Sequence, residues 1–379
     1  MNRKLIIMIK VLMIAILLAS ISTPLAQAAG PDGGDGEESK PLPSWRQVNT
    51  SGFGDPENIG IVLEGFKGYL YAGTSNWNIG GSVWRSADGF TWDSVFTTTI
   101  PAVIDMIKFK NQLYVGIGWG GVPPQVWRTP DGTTWEQVVG DGFGDPTNVG
   151  ITAFIMYKNM LYAATSNNNG VQIWRSATGD LSSWTNVVTD GFGYTTNIGV
   201  TGFVKFKGAL YAAIGSEAGV GPAQVWRSSD GLNWTAVTTD GFGDANNFGT
   251  GGFAAFKNYL YLGTDNNNGG QLWRSKKGLT WTKVGGDGFG DLNNITFGSL
   301  ILYKASLYTV TSNHVTGMEV WRTKNANNWQ QVNTDGFGDS NNKYPLWSVG
   351  TTIYKARLFI GAWNDVDGGE IWEMLPGKP

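Results

Sequence analysis

Four stretches of this chain read alike: SVWRSADGFTWDSV from Ser82, QVWRTPDGTTWEQV from Gln125, QVWRSSDGLNWTAV from Gln224 and QLWRSKKGLTWTKV from Gln271. A tryptophan recurring in a fixed setting marks a repeat architecture before any other reading is tried. Alignment on it gives Trp84, Trp127, Trp174, Trp226, Trp273, Trp321 and Trp372, spaced by 43, 47, 52, 47, 48 and 51 residues. Each repeat holds four short apolar-rich segments, A to D, separated by turn residues. In the third repeat they are ITAFIMYK (151–158), LYAATSN (161–167), VQIWRSA (171–177) and WTNVVT (184–189). Their short runs and Gly-rich turns read as strands, and no helical period of useful length follows the N-terminal segment.

Four antiparallel strands at this period fit a propeller blade better than a solenoid coil. The ends of the chain sharpen the reading. A second tryptophan recurs at Trp92, Trp135, Trp184, Trp234, Trp281 and Trp329, one fewer than the first kind. The missing outer strand is supplied by SWRQVNT (44–50), which is similar to NWQQVNT (328–334). The expected fold is therefore an all-β, seven-bladed β-propeller over 44–379, its ring closed by the N-terminal strand completing the last blade. Closure leaves no apolar blade face open, and paired tryptophans fill the wedges between blades.

The start, MNRKLIIMIKVLMIAILLASISTPLAQAAG, has a basic head, an apolar stretch and an A-x-A site at Ala26–Ala28. It reads as a signal peptide over 1–28, followed by a flexible acidic linker over 29–43. The product is expected to be secreted, extracellular or associated with the cell surface, with no membrane span in the mature chain. A net charge of −3 with no basic run gives no nucleic-acid footprint. There is no cysteine, hence no disulfide or thiolate site, and His314 is the only histidine.

Between segments C and D, the motif S-x-D-G-x-x-W resembles the Asp-box, or BNR, repeat of sialidase-like propellers. It is best kept in repeats 1, 2 and 4, one residue short of the usual spacing before the glycine. The Asp position varies: Asp88, Asp131, Thr178, Asp230, Lys277 and Asn325. The resemblance implies a structural turn away from any active site, and the variation agrees with it. Sialidase-like enzymes also carry an arginine cluster. Here the arginines recur inside the WR pattern, which makes them structural pairs across blade junctions.

In such a blade the A–B and C–D turns share one end, and the D–A and B–C loops share the other. The short turns make the first end read as scaffold and the longer loops place function at the second. Most D–A loops follow a DGFGD pattern. Its first reading is a structural turn, built from Asx side chains and positive-φ glycines with Phe plugging a junction. Its second reading is a calcium site of oxygen ligands, at Asp145 and Asn148, Asp244 and Asn247, and Asp291 and Asn294. No cofactor motif is present.

The B–C loops hold Trp77, Trp119 and Trp363, the last followed by Asn364, Asp365 and Asp367. Aromatic faces beside amides and carboxylates suit a pyranose, whose C–H face packs on the ring while its hydroxyls pair with the polar groups. Trp347 could instead line the central channel. Glu64 and Asp105 lie on innermost strands and are the candidate acid/base pair of a glycan-processing enzyme. The expected function is non-catalytic binding of an extracellular glycan, with a sialidase-like enzyme and a scaffold for a cell-surface protein as its competitors.

Overall fold

The computed structural model describes residues 43–216, 220–345 and 350–375. The expected signal segment, the linker up to residue 42 and Trp347 lie outside the described residues.

The chain opens with β1 (Trp45–Gln47). Each repeat then folds as a module of consecutive antiparallel strands. The first holds β2 (Gly60–Phe66), β3 (Tyr69–Ser75), β4 (Ser82–Ser86) and β5 (Asp93–Thr97), and the second β6 (Ala102–Phe109), β7 (Gln112–Gly118), β8 (Gln125–Thr129) and β9 (Glu136–Val139). The third holds β10 (Asn148–Tyr157), β11 (Met160–Asn167), β12 (Ile173–Ser176) and β13 (Trp184–Val188), and the fourth β14 (Gly199–Phe206), β15 (Ala209–Gly215), β16 (Gln224–Ser228) and β17 (Trp234–Thr238). Next come β18 (Gly249–Phe256), β19 (Tyr259–Asp265), β20 (Leu272–Ser275) and β21 (Thr282–Val284), then β22 (Asn294–Tyr303), β23 (Ser306–Asn313), β24 (Val320–Thr323) and β25 (Gln330–Gln331). The last repeat supplies β26 (Thr351–Tyr354), β27 (Arg357–Ala362) and β28 (Glu370–Met374). Its outer strand is β1, with Trp45 opposite Met374 and Gln47 opposite Trp372.

Local chemistry explains the strand ends. The A–B turns are two-residue hairpins with both central residues left-handed, such as Lys67 (φ 45°) and Gly68 (φ 80°), the geometry that matches strand twist. At the C–D turns the Asp-box position acts as an Asx turn. Asp88 Oδ1 accepts the Phe90 and Thr91 amides at 2.7 and 2.8 Å, and Asn325 accepts the Asn327 and Asn328 amides in the same way. These donors hold the Asp88, Asp131 and Asp230 carboxyls well below the usual carboxylate range. In the second module the glycine that follows is constrained twice over. Gly132 has φ +84°, and a methyl there would overlap the hydroxyl of Tyr71 from the preceding module.

The core lies between modules. Phe109, Tyr114 and Val126 of the second pack with Ile151, Leu161 and Ala163 of the third. By the same logic Phe359 and Ile371 of the last pack with Ile61, Leu70 and Ala72 of the first. The paired tryptophans sit at the outer margin of these wedges and are half-buried throughout. Between each pair lies a loop phenylalanine in a left-handed backbone conformation. Phe192 (φ 64°) stacks on Trp226 at 4.5 Å and 10° and meets Trp234 edge-on at 5.7 Å. Phe53, Phe143, Phe242 and Phe337 repeat the arrangement. The second module lacks the loop, and Phe96 of β5 fills the position against Trp127 and Trp135.

Candidate functional site

The DGFGD loops are tied to their modules by a repeated polar network. In the third module Asn148 donates to Gly142 O (2.8 Å) and Gln172 Oε1 (3.0 Å) and accepts from Thr165 (2.7 Å) and Asn167 (2.9 Å). Asp145 accepts from the Thr147 amide at 2.9 Å and Gln172 Nε2 at 2.6 Å. Gln172 in turn accepts the Trp174 indole N–H at 3.1 Å. The set recurs around Asp244 and Asn247 and around Asp291 and Asn294, where Glu319 replaces the glutamine. Each amide oxygen and carboxylate of the calcium reading thus already faces N–H or O–H donors. A cation there would have to displace them, so the donor set suits a hydrogen-bonded clasp better than a metal. Among the described residues no three His, Cys, Asp or Glu side chains converge on a metal position.

The same network places the expected binding residues. Aligned by position in the B strand, Asn76, Asn167, Asn266, Asn313 and Asn364 share one slot. Asn364 is accordingly fully buried and donates to Asp339 (2.9 Å) and Asn342 (3.3 Å). Trp119 takes that slot in the second module, where there is no DGFGD loop to clasp. It is half-buried, its backbone is left-handed (φ 71°), its amide bonds Val149 O at 2.7 Å, and its indole lies over Gly150 of β10. A non-glycine residue held in this conformation is stored strain of the kind that gathers at ligand sites.

Trp363 departs from the expected open rim. It is 3% exposed. Its slot is the one filled by Ser75, Ser166, Asp265 and Ser312 in other modules, so its ring is pressed against Gly60 of β2, where a Cβ would lie 2.8 Å from it. It stacks on Tyr344 at 5.2 Å, and Tyr344 in turn packs on His314 at 5.5 Å. Burial and then Lys343 lower the imidazole pKa, favouring neutral His314. Trp77 is half-buried in its loop, and Asp365 and Asp367 are exposed. Asp365 pairs with Lys343 at 2.5 Å.

The two inner-strand carboxylates behave differently from an acid/base pair open to substrate. Asp105 is buried, and its oxygens accept the Met106 amide (2.7 Å) and, across to β10, the Phe154 amide (2.6 Å). Burial pushes its pKa up to about 8 against those two donors. Glu64 pairs with Lys108 at 3.2 Å, and burial raises it as well. Asp105 staples two inner strands together. Sequence reading missed Asp265, which bridges β19 to Thr296 of β22 and is pushed up to about 6 by burial. Its signal was an acid in a slot that is otherwise Ser, Gly or Trp.

A family model described as the DUF6242 beta propeller domain matches residues 129–248. The chain carries a β-propeller domain. No curated protein matches the chain. The modules of this propeller are its blades, and the matched stretch runs from the end of the second blade's C strand to the start of the fifth blade's A strand. Among the described residues no helix of the propeller is long and apolar enough to cross a membrane.

Proposed function

We propose that this is an exported, non-catalytic binding protein whose loop-bearing end recognises carbohydrate. The chain would be delivered by a signal peptide over 1–28 and would act outside the cell or at its surface. Its propeller, over 44–379, is read as seven blades in a ring closed by the N-terminal strand. The β1–β28 pairing and the packing of the last blade on the first support that closure. The Asx geometry of the C–D turns supports the Asp-box resemblance at Asp88, Asp131 and Asp230.

The observation that carries the binding reading is the contrast among indoles. Those of the repeat are wedged against phenylalanines, whereas Trp77 and Trp119, half-buried like them, lie at the loop end outside that pattern. Trp77 offers a stacking face, and Trp119, held rigid by its backbone bond, is the second aromatic of this end. Asp365 and Asp367 are the hydroxyl partners. Trp363 and Asn364 support these loops from below. The hydrogen-bonded state of Asp105 favours binding over turnover.

The test is a glycan array with the protein and its Trp77→Ala and Trp119→Ala variants. Recognition that falls at least tenfold in either variant, with unchanged thermal stability, supports the reading. A silent array refutes it. A protein ligand is the second reading, favoured by exposed Ile79, Val315 and Val366 at the tips of the same loops (69, 63 and 56%).

A further inference from the structure

The opposite end, which reads as scaffold in sequence, carries a charge pattern that turn chemistry does not require. Every A–B hairpin begins with lysine, each with φ between 43° and 48°. That left-handed position favours Gly, Asn or Asp, so lysine in every blade needs another cause. All are exposed, and none is in an ion pair among the described residues. Lys67, Lys207 and Lys355 donate to the carbonyls of Pro130, Lys276 and Ala87 on a neighbouring C–D turn. Lys110, Lys158, Lys257 and Lys304 only lie over the aromatic ring that precedes them, at 5.0 to 5.6 Å. Lys205 adds an exposed cation two residues inward, Lys108 stands at the same place paired with Glu64, and Lys276, Lys277 and Lys324 lie on the C–D turns.

The lysines of this end outnumber its acids. Asp88, Asp131 and Asp230 fold back on their own turn amides, and Asp180 pairs with Arg128 at 2.7 Å. Further carboxylates gather at the loop end, in the DGFGD loops and at Asp365 and Asp367. A chain of net charge −3 is thus polarised, basic at one end and acidic at the other. The basic end also exposes aliphatic side chains. Leu181, Leu232 and Leu279 tip the C–D turns (69, 43 and 55% exposed), and Met156, Leu302 and Ile353 stand beside the lysines on the inner strands (40, 43 and 41%).

We propose that this end docks on an anionic lipid bilayer. A ring of long cationic side chains meets the headgroup layer without desolvating it, while the leucine tips enter the boundary below. An acidic polymer would use the lysines but would have no need of the aliphatic tips. Docked this way, the propeller holds its acidic loop end away from the membrane and open to its surroundings. The inference stands apart from the carbohydrate reading, which concerns the other end.

The experiment is co-sedimentation of the protein, purified as its cell delivers it, with phosphatidylcholine vesicles alone or containing 30% phosphatidylglycerol, across a salt series. Wild type should bind the anionic vesicles, bind the neutral ones weakly and dissociate as salt rises. Each lysine near such a surface is worth roughly fivefold in affinity. The combined Lys110→Gln, Lys158→Gln, Lys257→Gln and Lys304→Gln variant loses no hydrogen bond of the fold and should bind at least about fiftyfold more weakly at an unchanged melting temperature. Leu181→Ser with Leu279→Ser should weaken binding mainly at high salt. Equal binding to both vesicle types, no binding to either, or an unaffected lysine variant would overturn the proposal. Tighter binding to polygalacturonate, insensitive to the leucines, would also overturn it in favour of an acidic polymer.

Discussion

The fit of one glycine against one tyrosine hydroxyl gives the most direct test of how the blades pack. Gly68 and Gly132 have nearly the same backbone conformation, φ +80° and +84°, but different surroundings. A methyl at Gly68 meets nothing within 4 Å, whereas one at Gly132 collides with the Tyr71 hydroxyl from the preceding blade. Gly68→Ala should therefore report the left-handed penalty alone, about 1–2 kcal/mol. Gly132→Ala adds forced displacement of a fully buried tyrosine. Overpacking of that kind costs about 1–3 kcal/mol, so the total is about 2–5 kcal/mol. Tyr71→Phe removes the colliding oxygen. The double variant Gly132→Ala, Tyr71→Phe should thus be less destabilised than the sum of its parts by about 1–2 kcal/mol, a coupling typical of touching residues. Urea denaturation of the four variants measures all three quantities. If Gly132→Ala costs no more than Gly68→Ala, or if the two substitutions simply add, the tyrosine does not seat against that turn and the account of the junction fails.

Other expectations follow from the same structure. Phe192→Ala empties the space between Trp226 and Trp234 and should cost about 2–4 kcal/mol, less than a fully buried phenylalanine because the site lies at the margin and the left-handed strain eases. Asn148→Ala leaves Gln172 and Thr165 without their partner and should cost about 1–3 kcal/mol, while a chelator should leave the melting temperature of wild type unchanged. Asp105 holds its proton more tightly folded than unfolded. Its contribution is therefore greatest below pH 4 and is lost as pH rises towards about 8, at about 1.4 kcal/mol per pH unit within that window. Asp105→Asn should flatten the decline between pH 5 and 8 in a thermal-melt series, and an unchanged slope would assign it to other groups.

The spacing of the VWR tryptophans carried the strand order, and the likeness of SWRQVNT to NWQQVNT carried the β1–β28 pairing. Both are legible because a repeat writes its tertiary partners into the sequence at a fixed offset. The site was less legible, because each loop residue depends on what fills the equivalent slot next door. Trp363 looks like a rim aromatic beside Asn364 and Asp365. Only alignment of LFIGAWN with LYAGTSN shows that it lies one slot inward, against a glycine of the next blade. Trp119 occupies an asparagine slot whose partner loop is missing, a relation visible only once the clasp is known. The A–B lysines are plain in the sequence, but their shared direction depends on how the blades stand side by side.

The pairing of Arg46 with Glu373 joins residues 327 positions apart. β1 can find its partner only once β28 has been synthesised. Until then Trp45 and Val48 have no sheet to join, and Phe359 and the flank of the first blade wait with them. Loop closure over such a distance is slow, and unpaired strand edges invite wrong partners meanwhile. The rate at which the native state is reached is therefore expected to depend on the arrival of β28, so that a truncation after residue 369 should stall a nearly complete fold rather than trim it.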